Sequence, residues 1–67
     1  MYYQEASRMY RWLDSTLRKE SNLTESEVIY KATSNFQIGE ILVKKRLKLL
    51  LEIGKIEIKG DKIVWKG

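Results

Sequence analysis

The segment from Lys55 to Lys66, KIEIKGDKIVWK, alternates apolar and charged residues on both sides of a Gly60-Asp61 pair. That alternation is the signature of a β-hairpin whose two-residue turn is Gly60-Asp61. Such a turn sets Lys59 opposite Lys62, Ile58 opposite Ile63, Glu57 opposite Val64, Ile56 opposite Trp65 and Lys55 opposite Lys66. One face then carries only Ile56, Ile58, Ile63 and Trp65. The other shows Lys55, Glu57, Lys59, Lys62, Val64 and Lys66. A slip of one residue would drive lysines into the core, so the register is strongly specified. A hairpin with one greasy face needs something to lie on it, and the preceding residues supply helices.

From Tyr2 to Lys19 the residues Tyr2, Tyr3, Ala6, Met9, Tyr10, Leu13 and Leu17 recur at spacings of three and four, the stripe of an amphipathic helix. Arg8, Arg11, Ser15 and Arg18 face outward, and Trp12 sits just off the stripe. Ser21 to Thr24 break this pattern. Thr24 with Glu27 forms a capping box that starts a second helix, with Val28, Ile29, Ala32 and Phe36 as its buried face. Leu23, alone among polar neighbours, suits a very short strand. Gln37, Ile38 and Gly39 form a tight corner. A third helix is expected from Glu40 to Ile53, stopped by Gly54 in a left-handed conformation. Its apolar residues project onto somewhat more than half of its circumference. The expected class is α+β, one domain over residues 1–67.

Composition removes several kinds of chemistry. A 67-residue chain has a marginal core unless it is stapled, well packed or completed by a partner. It has no Cys and no His, which excludes disulfides, zinc fingers and His or Cys nucleophiles. No metal site and no cofactor is expected. Paired acids such as Glu25 and Glu27 lie at a helix start, where the dipole favours them, and no phosphate loop or Ser nucleophile motif occurs, so no enzyme is expected. No apolar run approaches a membrane span, and MYYQEASR lacks the apolar stretch of a signal peptide. These features point to a soluble, cytoplasmic protein without membrane insertion. Abundant Lys, Ile and Glu without Cys or His leans towards a thermophilic source, whereas the absence of Pro leans the other way. Met1 directly before the first helix suits a short natural protein and equally an excised module.

The order helix, short strand, helix, turn, helix, hairpin resembles the winged-helix variant of the helix-turn-helix fold. The family's spacing of apolar residues followed by Gly and a further apolar residue is matched by Val43, Leu47, Leu50, Gly54 and Ile56. The resemblance spans nearly the whole chain. It implies that the second and third helices form the helix-turn-helix, that the third is the recognition helix, and that Lys55 to Lys66 is the wing with Lys59 and Lys62 flanking its tip. The motif is mostly packing chemistry, and winged helices serve as DNA readers, RNA binders and protein-docking modules alike. The turn from Asn35 to Gly39 departs from a rich donor set, offering Gln37 and Asn35.

Charge is unevenly divided. Residues 39–67 hold eight Lys/Arg against four acids, the whole formal charge of +4, while residues 1–38 balance five of each. Clustered lysines attract phosphates. On the third helix Lys44, Lys45 and Lys48 share the open arc with Ile41 and Glu52. The lysines fit phosphates or guanine edges, and Ile41 fits a thymine methyl. Free N–H groups at Gly39, Glu40 and Ile41 suit a phosphate, although Glu40 itself opposes one. The candidate nucleic-acid contacts are therefore Gln37, Ile41, Lys44, Lys45, Lys48, Lys59 and Lys62. The plain alternative for each lysine is a solvated surface, and Lys55 and Lys66 are edge-strand charges that discourage aggregation. Trp12, with Tyr3 and Arg46, is the candidate anchor for a partner or homodimer, against the plainer reading of packing on a neighbouring element. Trp65 is expected in the core and the tyrosines in the core or an interface. Two functions follow as expectations: a double-stranded-DNA-binding transcriptional regulator, nucleoid-associated, or a protein-interaction module of a replication, transcription or membrane-remodelling assembly.

Overall fold

The computed structural model describes the backbone of residues 2–20 and 22–67, and the side chains of 6–20 and 22–67. The described elements run α1 (Tyr2–Lys19), β1 (Leu23–Thr24), α2 (Glu25–Asn35), α3 (Glu40–Glu52), β2 (Ile56–Lys59) and β3 (Lys62–Trp65). They form an α+β layout of three helices and a three-stranded antiparallel sheet of order β1-β3-β2. This is the arrangement expected of a winged helix.

Local chemistry sets the element ends. The backbone N–H of Glu27 donates to Thr24 Oγ1 at 3.1 Å, and the Thr24 N–H donates to Glu27 Oε1 at 2.9 Å. This reciprocal box starts α2 by satisfying two N–H groups that a helix start leaves free. At the end of α3, Gly54 has φ 78°. Its N–H donates to the Leu51 carbonyl at 3.1 Å, and the Lys55 N–H donates to the Leu50 carbonyl at 2.9 Å. Those two bonds make a Schellman cap, which needs the left-handed residue that glycine supplies without strain. Gly60 has φ 66° and Asp61 does not share the positive φ, the requirement of a II′ hairpin turn. The register is Ile56↔Trp65, Glu57↔Val64, Ile58↔Ile63 and Lys59↔Lys62, and the Lys66 N–H extends it by donating to the Lys55 carbonyl at 2.7 Å. The short strand adds Leu23↔Ile63 and Thr24↔Lys62.

The core takes Met9, Leu13 and Leu17 from α1, Val28 and Ala32 from α2, and Val43, Leu47 and Leu50 from α3, closed by Leu23, Ile56 and Ile63 of the sheet. Each large aliphatic buried this way contributes about 1.5–3 kcal/mol before entropy is counted. Tyr10, Trp12, Ile29, Phe36, Ile38, Leu42 and Trp65 pack around its edge, partly buried.

Two expectations are corrected. The sequence pattern has the apolar residues of α3 claim more than half of its surface, yet Leu49 and Leu51 are 42% exposed and Ile53 57%. Of α3 the core takes Val43, Leu47 and Leu50, and among the described elements none lies over its remaining faces. On the hairpin's apolar face, Ile58 is 44% exposed. It lies on the outermost strand beside the turn, and opens on a groove shared with Thr24, Glu25, Ser26 and Asp61.

Candidate nucleic-acid interface

Because Val43, Leu47 and Leu50 point inward, the opposite side of α3 is presented to solvent, and it carries Ile41, Lys44, Lys45, Lys48 and Glu52. The three lysines follow Ile41 by three, four and seven positions, so they share its exposed face and lie on its C-terminal side, Lys44 and Lys45 one turn on and Lys48 two. Ile41 itself is 69% exposed. Lys44 is restrained, with its Nζ 3.0 Å from Glu40 Oε2. Lys45 and Lys48 are exposed and have no ion pair among the described residues. They are the cations of this arc most available to an external anion.

The wing lysines occupy a different surface. Strand alternation sets Lys59 and Lys62 on the outer sheet face with Glu57 and Val64. Lys59 and Lys66 both reach Glu57 Oε1 at 3.9 Å, so one carboxylate partly neutralises two lysines. Lys62 stands opposite Thr24, and its charge is felt by Glu27. The Glu27 carboxyl is held below the usual carboxylate value mainly by hydrogen bonds from the Thr24 backbone N–H and hydroxyl, with smaller help from Lys62 and Lys31. No described contact joins the wing lysines to those of α3.

Beside α3 lies an acidic flank. A groove of about 390 Å³ between α2 and α3 is lined by Glu25, Tyr30 and Glu40 along with Lys44, and the groove under Ile58 brings in Asp61 next to Glu25. Negative charge on that side of α3 contrasts with the exposed Lys45 and Lys48 on the other.

Gln37 is exposed in the α2–α3 turn and is engaged by another residue. Trp12 packs edge to face on Phe36, with ring centroids 5.8 Å apart at 65°, so α1 is pinned to the end of α2. Arg46, placed with the partner anchors by the sequence, is held within the chain. Its guanidinium lies 4.4 Å over the Tyr10 ring, and Nη2 is 3.6 Å from Asp14 Oδ2. Tyr3 lies outside the residues whose side chains are described. Arg18, on the outward stripe of α1, lies 5.3 Å over Trp65. Tyr30, expected with the other tyrosines in the core or an interface, is not in the core: it is 73% exposed, the most exposed large apolar side chain described. Its signal is legible, since two positions after Val28 and two before Ala32 it projects opposite the buried stripe of α2.

Among the described residues no helix is long and apolar enough to cross a membrane, and no group of three or more acids, His or Cys could hold a metal ion. The class defined by fold and surface is a small α+β domain of winged-helix layout with a lysine-rich exposed third helix. No family model, curated protein or solved structure matches the chain.

Proposed function

We propose that this chain is a winged-helix DNA-binding protein, a regulator of transcription acting in the cytoplasm at the nucleoid. Its α3 docks in the major groove, and the Lys59–Lys62 wing tip lies on adjacent backbone. The observation that carries the reading is the set of Lys44, Lys45 and Lys48 on the solvent side of α3, with Lys45 and Lys48 unpaired among the described residues. Lysines that leave no internal ion pair behind bind phosphate with the full gain from counterion release. The open arc lacks Arg, Asn and Gln, so shape and backbone recognition dominate over rich base readout. A fluorescence anisotropy titration with duplex DNA at two salt concentrations tests this. Binding that weakens steeply with salt is expected, whereas no binding at low salt, or binding without a salt slope, overturns the reading.

A second reading, a module that docks proteins or pairs with itself, is favoured by the exposed Leu49, Leu51 and Ile53 at the end of α3. Exposed apolar side chains grouped on one element are typical of interaction sites. Sedimentation decides it: a strict monomer that binds DNA removes self-pairing, and a dimer abolished by Leu49→Lys supports it.

A further inference from the structure

Ile41 has no structural reason to be isoleucine. It is 69% exposed and takes no part in the core. In an exposed helical position a β-branched residue is a slightly poorer choice than Ala or Leu. Yet it occupies the first turn of α3, the part of a recognition helix that approaches base edges, and the lysines three, four and seven positions later continue its exposed face towards the C-terminus. An exposed apolar group on the same helix face as three lysines fits an apolar spot with phosphates near it. The major groove offers one such spot, the C5-methyl of a pyrimidine.

The rest of the arc leaves few other means of reading bases. Bidentate recognition of adenine needs Asn or Gln, and guanine is read by Arg or Lys. The exposed residues of α3 are Glu40, Ile41, Lys44, Lys45, Lys48, Leu49, Leu51 and Glu52, with no Asn, Gln or Arg among them, and Arg46 is turned to Asp14 and Tyr10, so the lysines and Ile41 are what this helix offers to base edges. Resting on the DNA-binding reading above, we infer that Ile41 is a specificity-determining residue and that it recognises the 5-methyl group of thymine. The same contact accepts 5-methylcytosine in place of thymine, because the two bases present the same methyl at the same place in the major groove. The minor groove displays no such methyl, so this discrimination belongs to α3 and not to the wing.

Two duplex pairs test the inference, and neither requires a defined binding site. The first is alternating d(AT) and its counterpart with deoxyuridine for every thymidine. The second is alternating d(GC) with and without 5-methylcytosine. For the wild-type chain, losing one buried methyl is expected to weaken binding about fourfold, which is the equivalent of about 0.8 kcal/mol. Methylating cytosine should strengthen binding by a similar factor. In Ile41→Ala both ratios should fall to about one while the salt dependence is retained, and the fold is safe because Ala is the better helix former at an exposed site. Equal wild-type affinity for the thymine and uracil duplexes, with binding intact, overturns the inference, as does an unchanged ratio in Ile41→Ala. Failure to bind any duplex at low salt overturns the DNA-binding reading and the inference with it.

Discussion

If α3 is the docking element, removing Lys45 and Lys48 must change the salt dependence of binding and not merely its strength. Each phosphate neutralised by a lysine contributes about 0.9 to the slope of log K against log salt. Lys45→Ala with Lys48→Ala should therefore reduce the slope by about 1.8. With this contribution taken to vanish near ~1 M salt, each contact is worth about eightfold at ~0.1 M and the two together about sixtyfold. Lys44 should matter less. Its Nζ is 3.0 Å from Glu40 Oε2, and leaving an exposed i,i+4 pair costs about 0.3–0.5 kcal/mol, so Lys44→Ala should weaken binding only about fourfold. Arg11 and Arg18 lie on the outward stripe of α1, and their replacement by Ala should leave the slope unchanged. The assay is anisotropy with a fluorescent duplex at four or more salt concentrations, with circular dichroism confirming the fold of each variant. A Lys45/Lys48 double variant with the wild-type slope, alongside an Arg11/Arg18 variant with a reduced one, would refute the placement of the nucleic acid on α3.

Stability offers independent checks. Leu47 is 3% exposed at the centre of the α3 core face, and Leu47→Ala should cost about 2–5 kcal/mol in urea unfolding. Gly54 has φ +78° in open space, so Gly54→Ala meets no clash yet should lose about 1–2 kcal/mol from backbone strain alone, seen as a lower Tm with an unchanged fold. Thr24→Ala removes half of the α2 capping box and should cost about 1 kcal/mol in the same unfolding assay. The Glu27 carboxyl is lowered in the folded chain, first by its hydrogen bonds with Thr24. A depressed folded value gives stability that is full above the unfolded value and is lost as pH falls through the folded one. The acid side of the stability curve should therefore flatten in Glu27→Gln, and an unaltered curve would exclude this carboxylate as a source of acid sensitivity.

The elements are legible in the sequence because their signals are local. The Gly60-Asp61 turn and the alternation around it dictate every pair from Ile56↔Trp65 to Lys59↔Lys62, and Thr24 with Glu27 marks the start of α2 within the same few residues. Coverage is not legible in the same way. Periodicity alone does not say which leucines of α3 find a partner, although the Val43, Leu47 and Leu50 spacing of the winged-helix resemblance picks out the buried set: Leu50 is 2% exposed and Leu49, its neighbour, 42%. That difference depends on where α1, α2 and β2 come to rest. Ion pairing is equally hidden at long range. The Glu40–Lys44 pair follows from i,i+4 spacing, but the Arg46–Asp14 contact links residues more than thirty positions apart. That contact makes Arg46 a tie between α1 and α3 where the sequence alone suggests an interface residue.

The exposure of α3 and the smallness of the chain are one physical fact. A domain of 67 residues buries a lower fraction of its surface than a larger one, and here most of the deficit falls on α3 and its C-cap, where Ile41, Leu49, Leu51 and Ile53 all reach solvent, with Tyr30 and Ile58 exposed elsewhere. Had the deficit fallen on apolar residues alone, the surface would favour aggregation or pairing. On α3 it is divided along the helix. The first turns carry Ile41 followed by three lysines, whereas the last turn holds Leu49, Leu51 and Glu52 and is capped by Ile53. A polyanion gains from the first part and little from the second, and an apolar partner the reverse. Substitutions at the two ends should therefore separate the two activities. Lys45 and Lys48 should govern salt-dependent DNA binding without altering sedimentation, and Leu49 and Ile53 should govern self-association without altering the salt slope. If both sets of variants shift both measurements together, α3 is a single composite interface and the division of labour along it is wrong.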